Sequence, residues 1–292
     1  MSRCRWWFAS PRYNRWVGNV ESERVTGASI PDNRSSLARR AVRSFVPGKF
    51  RPAVVSLVRP LLYRGNAVHC ACCDGDFSRF IPHQGRPYAK CPRCGALERH
   101  RLLVSYLRER TDLFAGRLKV LHVAPEWCLQ LELRRLSNLD YVSADLDSPL
   151  ATDHVDLLDL PYSAGSFDVV ICNHVLEHVD NDRRALDEIR RVLRADGRAI
   201  IMSPIDPASP STVEGLDVHT PEERRRVYWQ RDHLRRYGRD FADRVASRGF
   251  SVDTIRYIDQ FDATQVQRQG LRRESALFSD DDIFICHCAT AA

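Results

Sequence analysis

The chain has 292 residues, of which 43% are hydrophobic and 28% are charged, values that are ordinary for a soluble globular protein with room for one large domain plus extras. The net charge of +6 is unevenly placed: residues 1–64 contain 13 Lys and Arg against 3 Asp and Glu, and the other 228 residues sum to −4. This distribution argues against a nucleic-acid site spread over the main domain.

The N-terminal sequence predicts neither a signal peptide nor a membrane span. Residues 1–10 contain charges and aromatic rings without a continuous apolar segment, and no apolar run approaches the roughly 20 residues of a membrane helix. The ten cysteines include tight pairs, which are more typical of metal ligands than of a secreted disulfide framework. We therefore expect a cytoplasmic protein.

Residues 1–64 are predicted to form a basic, partly disordered arm. Residues 1–36 show no sustained hydrophobic period. Residues 37–64 contain more apolar side chains, interrupted by three prolines. This second part indicates either two short helices docked on the body or a basic amphipathic segment in peripheral contact with an anionic membrane.

Four cysteines between residues 65 and 98 predict a zinc-ribbon-like module. They form two C-x2-C pairs separated by 17 residues, namely Cys70, Cys73, Cys91 and Cys94. Four thiolates on two tight turns can surround a structural Zn²⁺ ion and leave no open position for water. Cys72 could replace a neighbour in this set. The following segment, 99–117, is predicted to be a linking helix.

From residue 118 onward, short apolar runs alternate with helical patterns, which indicates an α/β domain over 118–292 with a largely parallel sheet. The predicted strands are 118–123, 141–144, 155–156, 167–172, 198–202, one beginning at 249, and 283–287. Helices are predicted at 129–136, at 182–194 with Asp196-Gly197 as a stop, and at 240–247. Residues 203–238 interrupt the alternation and are predicted to be a lid over the carboxyl ends of the strands.

Several segments resemble class I S-adenosylmethionine-dependent methyltransferases of the type 11-like group. They are Asp-Leu-Pro-Tyr at 159–162, Ser-Phe-Asp-Val-Val at 166–170, His-Val-Leu-Glu-His-Val at 174–179 and Arg-Arg-Val-Leu-Arg-Ala-Asp-Gly at 190–197. With the preceding Cys-Pro-Arg-Cys-Gly-Ala-Leu-Glu-Arg-His-Arg, the chain is similar to a bacterial subgroup with an N-terminal cysteine-rich module. The resemblance implies a Rossmann-like sheet of seven strands with helices on both faces, and S-adenosylmethionine as cofactor.

The predicted cofactor contacts follow the strand ends in chain order. They are His122, Ala124, Glu126, Asp145, Leu146, Asp156, Leu157 and Asn173. A carboxylate at the tip of the second strand, Asp145, can accept hydrogen bonds from both ribose hydroxyls. Asp156 is placed to accept from the adenine amine and Leu157 to donate its backbone N–H to a ring nitrogen. Asn173 is expected beside the methionine portion.

The turn after the first strand departs from the family pattern because it contains no glycine. His122 stands where an acidic residue is usual, and Ala124 and Glu126 stand at glycine positions. The side chain of Glu126 could crowd the methionyl tail or accept a hydrogen bond from its ammonium group. The turn therefore indicates either a variant cofactor site or a loss of cofactor binding.

Histidines are the candidate bases for removing a proton from the methyl acceptor. The candidates are His174, which directly follows Asn173, His178, and two histidines of the predicted lid, His219 and His233. Each could also be a histidine without a catalytic role. Two other enzyme classes are not favoured: the letters H-x-x-E-H at 174–178 match a zinc-protease motif but directly follow a buried strand, and a nicotinamide dehydrogenase would require the absent G-x-G-x-x-G.

Two hypotheses for function follow. The first is methyl transfer to an unidentified acceptor, a small molecule or glycan rather than nucleic acid. Arginines of the predicted lid could contact an anionic substrate or form a solvated surface; they are Arg224, Arg225, Arg226, Arg231, Arg235 and Arg236. The second is a catalytically inactive descendant whose ribbon and basic arm bind nucleic acid or another macromolecule.

Overall fold

The computed structural model describes residues 58–273 and 277–289. The predictions for residues 1–57, including the disordered arm and most of the proposed membrane segment, lie outside the described residues. The chain divides into two compact units: one contains the described residues up to Val104, Trp127–Leu129 and Phe261–Arg272, and the other contains Ser105–Glu126, Gln130–Gln260 and the remaining described residues from Arg273. Among the residues that the structure describes, no helix combines the length and apolar character needed to cross a bilayer.

The regular elements are numbered in chain order. The strands are β1 (Arg64–Cys70), β2 (Gly75–Phe77), β3 (Ile81–His83), β4 (Arg86–Lys90), β5 (Leu118–Val123), β6 (Leu139–Asp145), β7 (Asp153–His154), β8 (Phe167–Asn173), β9 (Leu193–Met202), β10 (Phe250–Ile255) and β11 (Ile283–Cys288). The helices are α1 (Glu98–Arg110), α2 (Trp127–Leu133), α3 (Asp182–Val192), α4 (Pro221–Tyr228), α5 (Phe241–Ala246) and α6 (Ala263–Gln269).

The first unit contains two small antiparallel pairs, β1 with β2 and β3 with β4. Its centre is the fully buried side chain of Arg101. The guanidinium donates hydrogen bonds to the carbonyl oxygens of Ala89, Ala96 and Gly270, and it lies 3.9 Å from the centre of the Phe80 ring. The Arg101 guanidinium thus connects β4, the residues just before Glu98 of α1 and the segment after α6. Its buried charge is stabilised by carbonyl oxygens and by an aromatic ring.

The second unit is built on a seven-stranded mixed sheet with the order β10-β11-β9-β8-β5-β6-β7. Strands β5 to β9 are parallel, whereas β11 is antiparallel to both of its neighbours, β9 and β10. The predicted Rossmann-like sheet of seven strands is therefore confirmed. Because β5 pairs with both β6 and β8, the strand order reverses there, and the carboxyl ends of these three strands define the crevice in which such sheets bind ligands.

The apolar pattern of the sequence explains the core of this unit. In β8, Val169 to Asn173 are all buried, as expected for a central parallel strand covered on both faces. Helix α3 buries an apolar face, which contains Ala185, Leu186, Ile189 and Val192.

Several element boundaries differ by a few residues from the sequence predictions, and the differences at β9 and β7 are the ones that affect the sheet. Helix α3 ends at Val192 and β9 begins at Leu193, so Asp196-Gly197 does not stop the helix but lies in an irregular part of the β8–β9 pairing. A Cβ atom at Gly197 would lie 2.9 Å from the carbonyl oxygen of Asp168, which explains the glycine. The third strand of the sheet, β7, ends at His154 instead of Asp156, although the Val155 N–H still donates to the carbonyl oxygen of Asp145.

The C-terminal end of the predicted lid, 203–238, is bound by hydrogen bonds to the turn after β8. Arg235, which is 4% exposed, donates to the carbonyl oxygens of Leu176, Val179 and Asp180. The sequence interpretation of Arg235 as a contact for an anionic substrate is therefore wrong, because backbone carbonyls of the protein already occupy its guanidinium.

A buried carboxylate beside Arg235 strengthens this attachment. Asp182, the first residue of α3, accepts hydrogen bonds from the Tyr237 hydroxyl and from two nitrogens of Arg244. Burial opposes ionisation of Asp182, but the hydrogen bonds and charge of Arg244, with Arg235 and Tyr237, outweigh it and hold the pKa below its ordinary value. The ionised form is thus the one that the folded protein stabilises.

We expect Asp182→Asn to lower the free energy of unfolding by about 3 kcal/mol at pH 7, because it leaves buried cations without their carboxylate. The difference from wild type should shrink as the pH falls below about 4, where the unfolded chain binds a proton at Asp182 more readily than the folded protein does. Urea unfolding followed by tryptophan fluorescence measures both effects. The matched control is Asp187→Asn on the same helix, which removes an exposed pair with Arg248 and should cost less than about 1 kcal/mol. Equal losses in the two variants would contradict the network.

Candidate functional site

The turn after β5 replaces the expected glycine with a strained alanine. Ala124 has φ = +47°, in the left-handed region that glycine normally occupies, and its N–H donates to the carbonyl oxygen of Ala144 at 2.8 Å. The cost of this conformation is on the order of 1 to 2 kcal/mol. The chain therefore makes the tight turn from β5 to α2 without a glycine.

His122 and Glu126 are coupled in this turn. His122 is fully buried; its Nδ1 accepts a hydrogen bond from the Tyr141 hydroxyl at 2.8 Å, and its Nε2–H donates to Glu126 Oε2 at 2.8 Å. Burial raises the pKa of Tyr141, so this hydroxyl keeps its proton. The chain of hydrogen bonds from Tyr141 through His122 fixes the position of the Glu126 carboxylate at the start of α2.

Asp145 lies at the carboxyl end of β6, as the sequence predicted. Its Oδ1 accepts hydrogen bonds from the backbone N–H groups of Asp147 and Ser148, at 2.8 and 2.7 Å. Both bonds end on the same oxygen and orient the carboxylate at the strand tip. The side chain of the adjacent Leu146 is 63% exposed.

Asp156 and Leu157 follow β7 by two and three residues. Asp156 Oδ1 accepts a hydrogen bond from the Leu158 N–H at 2.9 Å, which makes it a turn residue. The side chain of Leu157 is buried in the core of the sheet, so only its backbone is suited to contact a ligand.

Asn173 is the last residue of β8 and is 4% exposed. Neither Oδ1 nor Nδ2 of its side chain has a hydrogen-bond partner among the described residues. A buried amide without partners costs roughly 1 to 3 kcal/mol, so its position requires an explanation such as a bound ligand or water. Its place beside the first turn and Asp145 follows from the pairing of β5 with β6 and β8.

His174 follows Asn173 in a second left-handed turn, with φ = +52°. Its Nδ1 lies 3.3 Å from Oε1 of Glu177, which is 1% exposed. Burial opposes ionisation of Glu177, but the hydrogen bond with His174 and the nearby imidazoles lower its pKa to about 2. Residues 174–178 form no helix, so the letters H-x-x-E-H do not make a zinc-protease site.

The two histidines of the predicted lid differ sharply in environment. His233 is 1% exposed, its Nδ1–H donates to the Tyr228 carbonyl oxygen at 2.9 Å, and burial lowers its pKa to about 4. Its ring centre lies 4.7 Å from that of His178. The side chain of His219 is 80% exposed and pairs with Asp217. The structure thus brings His233 to the segment that contains Glu177, and it leaves His219 on the surface.

The four predicted metal ligands of the first unit come together. The Sγ–Sγ distances are 3.7 Å for Cys70–Cys94 and for Cys73–Cys91, and all four sulfurs lie within 4.8 Å of one another. A tetrahedral zinc site with Zn–S bonds of about 2.3 Å has S–S edges of about 3.8 Å, so the geometry fits Zn²⁺.

Cys72, which the sequence left ambiguous, is not one of these four. Its thiol is buried beside Cys128, and this burial, together with Cys128, raises its pKa above the ordinary value. Cys128 Sγ in turn lies 3.2 Å from His100 Nδ1. Cys72 is therefore a buried thiol on the side of Cys128.

Sequence reasoning missed two residues of the site, Tyr141 and Ser203. The Ser203 hydroxyl donates to Glu177 Oε2 at 3.3 Å. Only the position of Tyr141 in the strand beside β5 could have linked it to His122. The partner of His122 across the strands is Ser143, and Tyr141 lies two residues before it, on the same face of the sheet.

Part of the sheet domain is similar to a known protein family. A family model described as a methyltransferase domain matches residues 128–201, about a quarter of the chain.

Individual relatives match over short stretches. The demethylmenaquinone methyltransferase of Clavibacter sepedonicus is 38% identical over 66 residues, 23% of this chain and 27% of that protein. The ajmaline N-methyltransferase of Rauvolfia serpentina is 36% identical over 58 residues, 20% of each chain. The chain therefore spans about a quarter of the curated relatives it matches.

Among solved structures, a putative methyltransferase from Bacillus halodurans C-125 is 16% identical, with a TM-score of 0.42, and the match covers 64% of this chain and all of that one.

We expect Tyr141→Phe to lower the free energy of unfolding by about 1 to 2 kcal/mol, because it leaves His122 Nδ1 buried without a donor. Urea unfolding at pH 7 measures the loss. Tyr162→Phe is the control: it removes a hydroxyl that donates to the half-buried carboxylate of Asp153, where water can replace it, so the loss should be smaller. An unchanged midpoint in Tyr141→Phe would contradict the role of this hydroxyl.

Proposed function

We propose that the protein is an S-adenosylmethionine-dependent methyltransferase that acts on a small-molecule or glycan acceptor. The observation that carries this proposal is the buried, unpartnered amide of Asn173 at the point where the strand order reverses. A polar ligand at this point would satisfy the amide, and the residues around it suit the parts of this cofactor.

The residues present fit the cofactor at each strand end. Asp145 would accept hydrogen bonds from the ribose hydroxyls, with the exposed Leu146 beside the nucleoside. Asp156 and the backbone of Leu157 would contact the adenine. Asn173 would contact the methionyl portion, where its amide can both donate and accept.

The glycine-free turn supports a variant cofactor site rather than a lost one. Ala124 adopts the left-handed conformation of the missing glycine. His122 holds the Glu126 carboxylate in one position, and a carboxylate at this turn complements the ammonium group of a methionyl tail. We propose that Glu126 supplies the negative charge that the family usually places at the position of His122.

The bound cofactor would supply a methyl group on a sulfonium, open to in-line attack. The protein aligns the acceptor and excludes water from it. His174 is the favoured base, because it follows Asn173 and its Nδ1 side is held by Glu177. His233, with Nδ1 committed to a carbonyl, is better suited to a binding role, and the exposed His219 has the weakest case of the three.

The acceptor class is supported by charge and by the relatives. Residues 65–292 lack the net positive charge of a nucleic-acid-binding domain. The names of two relatives specify small organic acceptors, demethylmenaquinone and ajmaline. The alternative, an inactive descendant that acts as a binding module, is not favoured, because it leaves the Asn173 amide unexplained.

We propose further that Cys70, Cys73, Cys91 and Cys94 hold a structural Zn²⁺ ion, which supports a cytoplasmic location because thiolate ligands persist in reducing compartments. The domain limits proposed from the sequence are the arm 1–64, the ribbon 65–98, the linking helix 99–117 and the methyltransferase domain 118–292 with its insertion 203–238. Contact of residues 37–64 with a membrane stays a prediction.

We expect Asp145→Asn to weaken binding of S-adenosylmethionine at least about 10-fold, because it removes the charge that strengthens two ribose hydrogen bonds but keeps Oδ1 for the turn. Isothermal titration calorimetry measures the affinity. Asp140→Asn, at the opposite end of the same strand, should bind like wild type. Wild-type protein that does not bind the cofactor would overturn the proposed function.

We expect Cys91→Ser to lose about one zinc ion per chain, because three thiolates and a serine bind the ion poorly. Mass spectrometry of the purified protein counts the metal. Cys72→Ala is the matched control: it removes a neighbouring buried thiol that is outside the four-sulfur set and should keep the zinc. If both variants retain the wild-type metal content, the ribbon assignment is wrong.

A further inference from the structure

The second unit contains a cluster of metal-ligating side chains apart from the four cysteines. Glu177, His178 and His233 offer ligand atoms that all lie within 4.8 Å of one another. Glu177 and His233 are each 1% exposed. We propose that these three residues bind a divalent transition-metal ion, with Zn²⁺ as the representative case.

The hydrogen bonds of the two histidines support this proposal. His233 Nδ1–H donates to the Tyr228 carbonyl oxygen at 2.9 Å, and His178 Nδ1 lies 3.3 Å from the Asp232 carbonyl oxygen. Histidines that bind metals usually donate their other ring N–H to a carbonyl or carboxylate in this way. These contacts place the proton on Nδ1 and make Nε2 the lone-pair nitrogen of each ring.

The buried Nε2 of His233 is a second, independent indication. It has no hydrogen-bond partner within the described part of the chain. A lone pair in a buried cluster with a carboxylate is unfavourable, because both groups are acceptors. A cation between them would satisfy the nitrogen and the carboxylate at once.

The backbone holds the ligands in place before any ion binds. The Leu234 N–H donates to the carbonyl oxygen of Glu177 at 2.8 Å. Arg235 donates to the carbonyl oxygens on either side of the Glu177–His178 pair, at Leu176 and Val179, both at 2.6 Å. The two segments that supply the ligands are therefore fixed to each other.

The donor set indicates the class of ion. Two imidazole nitrogens and one carboxylate suit Zn²⁺ or a similar transition metal, whereas Mg²⁺ and Ca²⁺ require mainly oxygen ligands. Three protein ligands leave a coordination position open. The set omits His174, so it differs from the protease motif. The cluster lies next to Asn173 and His174 in sequence, a position that suits an ion that contacts the methyl acceptor. This catalytic role rests on the proposed function. The binding of the ion is independent of it.

The test compares full-length variants equilibrated with Zn²⁺, dialysed and analysed for metal by mass spectrometry, without S-adenosylmethionine. We expect His178→Gln and His233→Gln to hold about one zinc ion fewer per chain than wild type, because each loses one of three ligands. His178 is only half-buried, so its variant keeps the test valid if His233→Gln misfolds. The control His219→Gln changes an exposed histidine outside the cluster and should match wild type.

Substitution by Co²⁺ provides a second measurement. Co²⁺ bound to nitrogen and oxygen ligands absorbs in the visible range but lacks the intense near-ultraviolet bands of cobalt–thiolate bonds. One spectrum therefore distinguishes Co²⁺ at the Glu177–His178–His233 cluster from Co²⁺ at the four cysteines. We expect the visible bands to lose intensity in His178→Gln while the thiolate bands persist. Equal zinc content in wild type and His178→Gln would overturn the proposal and leave the methyltransferase proposal untouched.

Discussion

The pairing of β5 with β6 on one side and β8 on the other is the constraint on which the rest of the second unit depends. Parallel strands end at the same edge of a sheet, so residues far apart in sequence meet there: Ala124, Asp145 and Asn173 belong to three different strand ends. The strain at Ala124 and the unpartnered amide of Asn173 both lie at this edge. Each costs free energy, and such costs are concentrated at functional sites in proteins, which is consistent with the proposed function.

The charges of the second unit are concentrated where the long insertion meets the sheet. Arg235 donates hydrogen bonds to three carbonyl groups, and Arg244 and Tyr237 both donate hydrogen bonds to Asp182. These bonds keep residues 232–235 against the turn after β8, so that His233 reaches Glu177 although 55 residues separate them. In the first unit, Arg101 plays a similar part among backbone carbonyls. In both cases a buried cation is tolerated because its hydrogen bonds are satisfied by fixed backbone groups.

Much of this fold could be predicted from the sequence, because the strands are short apolar runs and their order is typical of one sheet. The four ribbon cysteines were also recognisable, since C-x2-C pairs form tight turns locally. What escaped prediction depends on long-range geometry. The early start of β9 depends on the pairing of Leu193 with Phe167 of β8, which no local pattern reveals. The arginine-rich segment did not reveal that Arg235 donates hydrogen bonds to buried backbone carbonyls. The position of Cys72 outside the four-sulfur set depends on its contact with Cys128, which is distant in sequence.

The anchoring of Arg235 also limits how the insertion can move. Three hydrogen bonds to a charged group, each worth roughly 1.5 to 3 kcal/mol, hold residues near 235, and the bridge between Ile205 and Tyr237 ties the beginning of the insertion to its end. Opening of the whole segment would break these bonds together, so hinge motion is confined to the exposed tip around α4. Under the proposed function, an acceptor would enter past a fixed surface that contains His233. Selection among acceptors would then depend on the shape of that surface rather than on closure around them.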